Sequence, residues 1–342
     1  MLEIDGSFGE GGGQIIRTAI ALAAITSKEV EIKNIRANRP NPGLSPQHIH
    51  AVKAVERISG GSAEGLKVRS SRLTFKPATL KGFEGEIDIG TAGSITLLLQ
   101  CLIPVALFAD RETKVRVTGG TDVKWSPPID FFTNVFLKAL HEMGCAVHLD
   151  LKRRGYYPKG GGLVDVHVAP SHHVKSIVVA ERDRKRVING ISHSRGLPTH
   201  VAERQAGAAR SVVKEKGYHA ELKTDSADGG KLTTGSGITM WSGYKSGSAL
   251  GERGKRAELV GEEAARIILN ELKTASTVDV HLADQLIPYM ALATGKSELK
   301  VKERTNHLET NMYVTKQFLD VEFRIAKEET ERSGAVFVIR KE

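Results

Sequence analysis

Apolar positions recur at three- and four-residue spacing over residues 15–25, 46–58, 96–108, 130–143, 284–293 and 311–318, which predicts six helices with buried faces. Between the members of each pair lies a short strand-like segment, at 30–35, 114–117 and 298–303. A loop then leads into the second helix. The first loop carries Pro40, Pro42 and Gly43, the second Gly119, Gly120, Pro127 and Pro128, and the third His307. Helix, strand, loop, helix thus occurs three times, and further strands are read at 72–75, 86–89 and 163–168. Helices with one apolar face must pack on something, and the strands supply sheets.

Residues 184–275 do not follow the repeat. They open in the basic run Arg182-Asp183-Arg184-Lys185-Arg186 and continue as strand 187–192, helix 199–216, strands 218–222 and 237–241, and helix 256–272. The expected fold is therefore α+β: three like subdomains spanning 1–183 and 276–342, with a smaller α+β domain inserted at 184–275. Repeats packed about a pseudo-symmetric axis place equivalent loops at one end, where they can share a cleft.

The chain has 342 residues, enough for more than one core. Its net charge of +9, from 49 basic and 40 acidic residues, favours an anionic partner such as nucleic acid, nucleotide or acidic lipid. No apolar run of about 18 residues occurs, so no membrane span is expected. Leu2-Glu3-Ile4-Asp5 has no basic-then-apolar leader pattern. Cys101 and Cys145 are too few for a disulfide framework and suit a reducing cytoplasm. The Lys- and Glu-rich stretch 327–332 is of a composition found in thermophiles. Nothing in the pattern speaks to oligomeric state.

Several segments carry chemistry. Gly9-Glu10-Gly11-Gly12-Gly13-Gln14 precedes a helix, where free backbone N–H groups bind anions, although a plain tight turn explains the glycines equally. Arg17 lies one turn on. Glu10 in such a loop suits a divalent cation or an arginine partner. Arg36 and Arg39 stand in a proline-stiffened loop, where guanidinium forks suit phosphate, and Gln47 and His48 open the next helix. Gly295-Lys296-Ser297 lacks the upstream glycine of a P-loop, Met290 standing there instead. The run from Arg154 to Gly162 reads as a hairpin turn with two cations and two aromatics. His281-Leu282-Ala283-Asp284-Gln285 leads into the third repeat, with Asp284 as helix cap or as a group orienting an imidazole. His307, flanked by short polar side chains, is either a surface histidine or a nucleophile with one ring nitrogen held and the other free.

Together these segments resemble the RNA 3′-terminal phosphate cyclase family. The resemblance covers essentially the whole chain, and Arg154-Gly155-Tyr156-Tyr157-Pro158-Lys159-Gly160-Gly161-Gly162 is its most specific stretch. It implies three repeats of two helices on a four-stranded sheet, like the C-terminal domain of translation initiation factor three, plus the inserted domain. It also implies a three-step reaction: a histidine takes AMP from ATP, AMP moves to an RNA 3′-terminal phosphate, and the 2′-hydroxyl displaces it to close a 2′,3′-cyclic phosphate. The family's nucleophile falls on His307. ATP contacts fall on Gln100 and on His281, Leu282, Ala283, Asp284 and Gln285, with His281 where some relatives stack a tyrosine on adenine. Glu10 would hold Mg²⁺ or Mn²⁺, Asp284 would orient His307 or the nucleotide phosphates, and Arg17, Arg36, Arg39 and Gln47 would hold phosphates of ATP or RNA. Pro127, Pro128 and Phe131 are expected as walls of the adenine pocket, from apolar character and loop position. A silent RNA-binding or ribosome-assembly protein on this fold would need neither His307 nor Glu10. An enolpyruvyl-transferase-like enzyme would use small anionic substrates and no covalent nucleotide.

Overall fold

The computed structural model describes residues 1–181, 186–227, 232–330 and 334–342. Arg182 to Lys185, the division drawn at 183/184, and residues 331–332 of the Lys- and Glu-rich stretch lie outside the described residues.

The first repeat runs β1 (Leu2–Asp5), α1 (Gly13–Thr26), β2 (Val30–Lys33), α2 (Pro46–Ser59), β3 (Ser62–Glu64) and β4 (Leu73–Lys76). β1 lies parallel to β2, with Ile4 opposite Ile32, and the sheet order is β1-β2-β4-β3. Ile15, Ile16, Ile20 and Leu22 of α1 are buried, as the spacing predicts. Pro46 stands at the start of α2, where its missing N–H costs nothing, and Ser45 N–H donates to His48 Nδ1 across that first turn (3.1 Å).

The second repeat follows the same plan: β5 (Glu84–Asp88), α3 (Ile95–Leu107), β6 (Thr113–Gly119), α4 (Ile129–Phe131), a π turn (Phe132–Phe136), α5 (Leu137–Glu142), β7 (Val147–Arg153) and β8 (Gly162–Val168). Its sheet order is β5-β6-β8-β7, again with the first pair parallel. The single helix expected at 130–143 is thus interrupted by a π turn, which periodicity alone does not signal.

Residues 187–272 form β9 (Val187–Arg195), α6 (His200–Lys214), β10 (His219–Ala227), β11 (Gly235–Ser242), β12 (Lys245–Leu250) and α7 (Ala257–Leu272), around a sheet ordered β10-β9-β11-β12. Ile188, Ile238, Met240 and Ile268 belong to a core separate from the one that links the three repeats.

The third repeat has α8 (Val280–Leu292), β13 (Ser297–Val301), α9 (Asn306–Phe318), β14 (Phe323–Thr330) and β15 (Gly334–Lys341). Its sheet has three strands, β13-β15-β14, against the four expected. The fourth place, beside β13, is taken by a bridge from the segment before the insertion. Glu298 N–H donates to Ile177 O and Val179 N–H to Glu298 O, both at 2.9 Å. The chain therefore enters this unit before it leaves for the inserted sheet.

Both helices of the third repeat begin earlier than the apolar pattern suggested. Asp279 caps α8, its carboxylate accepting from Leu282 N–H, so Asp284 sits inside the helix and is not its cap. Thr305 caps α9, so His307 lies in the first helical turn and not in a loop. The first turn of α9, Asn306-His307-Leu308-Glu309, is largely polar and carries no hydrophobic periodicity, whereas that of α8 is apolar at Val280, Leu282 and Ala283 and belongs to the same buried face. β1, β3, β7, β12, β14 and β15 were not anticipated either. No helix among the described residues is long and apolar enough to cross a membrane.

α6 and α7 pack closely because Gly261 has no β-carbon: a methyl there would lie 2.0 Å from Gln205 O. Gly261→Ala is expected to cost about 1–3 kcal/mol in chemical denaturation. Gly207→Ala on α6, where nothing lies within 4 Å, should be neutral or slightly stabilising.

Candidate active site at the N-termini of two helices

His307 is held from below by its own helix start. Thr305 Oγ1 accepts from Leu308 N–H (3.0 Å) and donates to Asp284 Oδ1 (2.7 Å). One turn later Asn311 Nδ2 donates to Asp284 O (2.6 Å), while Asn311 Oδ1 accepts from Thr18 Oγ1 (2.9 Å). Gln14 Nε2 donates to His307 O (2.7 Å). α9 is thus tied to α8 through Asp284 and to α1 through Gln14 and Thr18. Asp284 positions the turn that carries His307; its recorded partners are Thr305 and Asn311.

The imidazole itself is half-exposed. Its Nε2 stands 3.5 Å from Glu10 Oε2, the same oxygen that accepts from Arg39 Nη2 at 2.8 Å. Gly12 adjoins both groups: a methyl there would lie in ordinary van der Waals contact with Arg39 Nη2 (3.5 Å) and His307 Cε1 (3.8 Å). Gly12 is also the N-cap of α1 and offers no side-chain acceptor to the first-turn N–H groups. Two helix N-termini, with their partial positive charge, therefore flank His307.

Burial, followed by the charges of Arg17, Arg39 and nearby His281, pushes the His307 imidazole below the ordinary histidine value, while Glu10 pulls the other way. The ring is neutral at pH 7 and keeps a lone pair. Burial likewise pushes Asp284 up to about 8, helped by Asp279, Glu10 and Glu303 and opposed by the Thr305 hydrogen bond. Arg17 is lowered to about 10 by burial and stays cationic. His48, lowered to about 3 by burial and by Arg17 and Arg36, stays neutral.

Beside His307, a cavity of about 40 Å³ opens between α1, α3, α8, α9 and the π turn. Arg17, Gln100, Gln285 and Asn311 line its polar side, Phe136 and Tyr289 its apolar side. Gln285 Oε1 and Tyr289 Oη are buried without a hydrogen-bond partner. The fold thus brings together four of the residues expected from sequence (Glu10, Arg17, Arg39 and His307), with Gln100 and Gln285 at the adjoining cavity.

Other expected residues lie elsewhere. Leu282 and Ala283 are core side chains, leaving only their backbone for a ligand. Phe131 is buried in the core and Pro127 O accepts from Thr96 Oγ1 (2.7 Å); neither lines the cavity. Phe136 and Tyr289 supply its aromatic walls, which the sequence offered only as ordinary helix interior. His281 is exposed, and its carbonyl accepts from Gln285 Nε2 (2.9 Å). Arg36 Nη1 donates to Gly43 O (3.0 Å), a bond within its own loop. Gln47 lies beside Gly93 at the start of the second repeat. Among the described residues, the one group of three donors close enough to share a metal is Asp122, Asp130 and His193, not Glu10. Arg154, fully buried, already bonds both of those carboxylates, Asp122 Oδ2 at 3.3 Å and Asp130 Oδ1 at 3.0 Å.

The family model described as RNA 3′-terminal phosphate cyclase matches residues 8–325, an interval that holds every residue touching His307. The chain belongs to the RNA 3′-terminal phosphate cyclase family. It is 52% identical to a protein of Archaeoglobus fulgidus named RNA 3′-terminal phosphate cyclase, over 93% of this chain and 96% of that one. A Pyrococcus furiosus protein of the same name is 48% identical, over 100% of this chain and 99% of its own. One from Methanosarcina mazei is 48% identical over 96% and 98%. The α+β build of small sheets and paired helices is that of the cyclase family.

Asp284 makes stability pH-dependent. Its folded value of about 8 is above its ordinary 3.8, so the folded state holds a proton that the unfolded chain releases. Its contribution is fully present below about pH 4 and is lost as pH rises through about 8. Asp284→Asn, which cannot ionise, should gain stability relative to the parent between pH 4 and 8 in denaturant titrations. A difference that does not change with pH would refute a protonated Asp284.

Proposed function

We propose that the chain is an ATP-dependent RNA 3′-terminal phosphate cyclase with His307 as its nucleophile. The observation that carries this reading is the neutral, half-exposed imidazole between two helix N-termini, faced by Glu10 and flanked by Arg17 and Arg39. An imidazole nitrogen attacks the α-phosphorus of ATP, an N–P bond forms, and the bond to pyrophosphate breaks. An oxygen of the RNA 3′-phosphate then takes the AMP, returning free imidazole. Finally the neighbouring 2′-hydroxyl attacks the 3′-phosphorus, loses its proton and expels AMP. Adenylylation gives a poor electrophile a good leaving group.

Arg17 and Arg39 are assigned to the phosphates, where they offset the charge that develops on the transferring group. Gln100 and Gln285 are assigned to the adenine, supported by their shared cavity and by the unpartnered Gln285 Oε1, an acceptor for an exocyclic amine. At about 40 Å³ the cavity is well below the roughly 300–1,000 Å³ of small-molecule sites, so its walls part on binding. His281, exposed next to Gln285, is assigned to stacking on the base. Glu10, whose Oε2 lies 3.5 Å from His307 Nε2, is assigned to a divalent cation, which at nucleotide sites is held by one or two carboxylates plus phosphate oxygens and neutralises developing charge. Arg36 and Gln47 are assigned to the RNA phosphates, one loop away. Buried free thiols at Cys101 and Cys145 suit a reducing cytoplasm.

Incubation with α-labelled ATP and Mg²⁺ or Mn²⁺ should give an acid-labile, alkali-stable adduct in the parent and none in His307→Ala. Labelling that survives His307→Ala would move the nucleophile elsewhere, and no adduct in the parent would sink the reading. The rate of adduct formation should fall only below the ordinary histidine value of 6.5, because the imidazole must be unprotonated to attack. Arg39→Ala should slow it roughly 100-fold, the low end of the loss for one charge-stabilising donor.

A further inference from the structure

Trp125 and Tyr157 are among the most exposed large side chains of the protein, at 96% and 77%. Neither exposure follows from a loose loop. Trp125 has φ 60°, in the left-handed region that bulky residues rarely adopt, so the chain accepts backbone strain to present this ring. The residues around it are fixed: Ser126 Oγ donates to Val123 O (2.9 Å), Pro127 O accepts from Thr96 Oγ1 (2.7 Å), and Lys124 pairs with Glu252 (3.0 Å). Tyr157 stands at the tip of the Arg154 to Gly162 hairpin, which Arg153 braces by donating Nε to Gly161 O (2.6 Å).

Both loops pack on one turn. A β-carbon at Gly160 would lie 2.7 Å from Thr91 O, and one at Gly120 would lie 2.6 Å from Ala92 O and 2.7 Å from Val123. A bridge between Asp122 and Tyr156 joins the two loops directly. From that turn the contacts run back to the candidate nucleophile. Gly93 adjoins Gln47, His48 fills the space that a Gly13 side chain would need, and Gly12 faces Arg39 and His307. Both rings are thus carried by loops that pack on the turn at 91–93, and that turn is linked through Gln47 and His48 to the start of α1 beside His307, in a chain of net charge +9.

We propose that Trp125 and Tyr157 form a stacking platform for the bases of single-stranded RNA upstream of the terminal phosphate. The proposal rests on the cyclase reading for what occupies His307. Every base has a π face, so aromatic platforms hold single strands with little regard to sequence. A platform of this kind would position the 3′ end while leaving base identity unread.

The test compares an oligoribonucleotide of about ten residues and a dinucleotide, both with 3′-phosphates. Trp125→Ala and Tyr157→Ala should each raise KM for the longer RNA about tenfold, with kcat, the dinucleotide's kcat/KM and adduct formation from ATP unchanged. Trp125→Phe should restore most of the loss. In a Trp241→Phe background, where Trp125 is the sole tryptophan, the longer RNA should quench its fluorescence and the dinucleotide should not. Equal KM in parent and alanine variants, or no quenching by the longer RNA, overturns the platform. Quenching reads RNA binding without any chemistry, so it judges the platform even where the parent forms no adduct, the result that would remove the cyclase reading instead.

Discussion

The start of α1 has no room for a side chain at Gly13, because the His48 ring of α2 fills that space. The packing at this end of the first repeat depends on that emptiness: a methyl at Gly13 would overlap His48 Nε2. At Gly12 a methyl would rest in ordinary contact with Arg39 and His307. Packed in this way against α2, the start of α1 meets the start of α9 across the boundary between the first and third repeats. Gln14 and Thr18 then reach α9 with hydrogen bonds of 2.7 and 2.9 Å. The glycines cost backbone entropy, and packing of α1 and α9 over a shared apolar core offsets it.

Electrostatics then follow from depth. Asp284, beneath the α9 cap, is too buried to ionise cheaply and retains its proton near neutrality. Higher up, Glu10 keeps contact with Arg39 and so presents a carboxylate to His307 without leaving it unpaired. His307, with arginines and helix ends around it, resists protonation. A neutral imidazole, flanking arginines and the N–H groups at the start of α1 thus meet in one place.

The inserted sheet is braced by a different device. Arg154 is buried and reaches Asp122 and Asp130 on one side and Asp225 of β10 on the other, each at 3.0–3.3 Å. Tyr156 Oη lies 2.6 Å from His193 Nδ1 of β9. Burial, aided by the like charges of Asp122 and Asp225, raises Asp130 to about 6 against the pull of Arg154. Buried ion pairs of this kind add little net stability, but stripping one partner leaves a charge stranded at a cost of about 3–5 kcal/mol.

The repeat, its helices and the residues worth suspecting were legible in the order of apolar and polar positions, because helix and strand periods are local properties of the chain. Glycine and histidine types at 12, 13 and 307 marked positions that suit an anion or a nucleophile as well as they suit a tight turn or a surface histidine. Which of them meet was not legible. Gln14 and His307 are 293 residues apart, and their contact exists only through packing of helices from different repeats. Phe131 and Phe136 look alike in sequence and are both buried in the same core, yet only Phe136 also walls the cavity, a distinction set by what packs opposite each ring. Asp284 reads as a cap until Asp279 is seen to take that place, and its protonation follows from burial that no linear pattern encodes. Local spacing marked the helices, most of the strands and the side chains worth testing. Tertiary packing decided their partners, their charge states and the shape of the space they share.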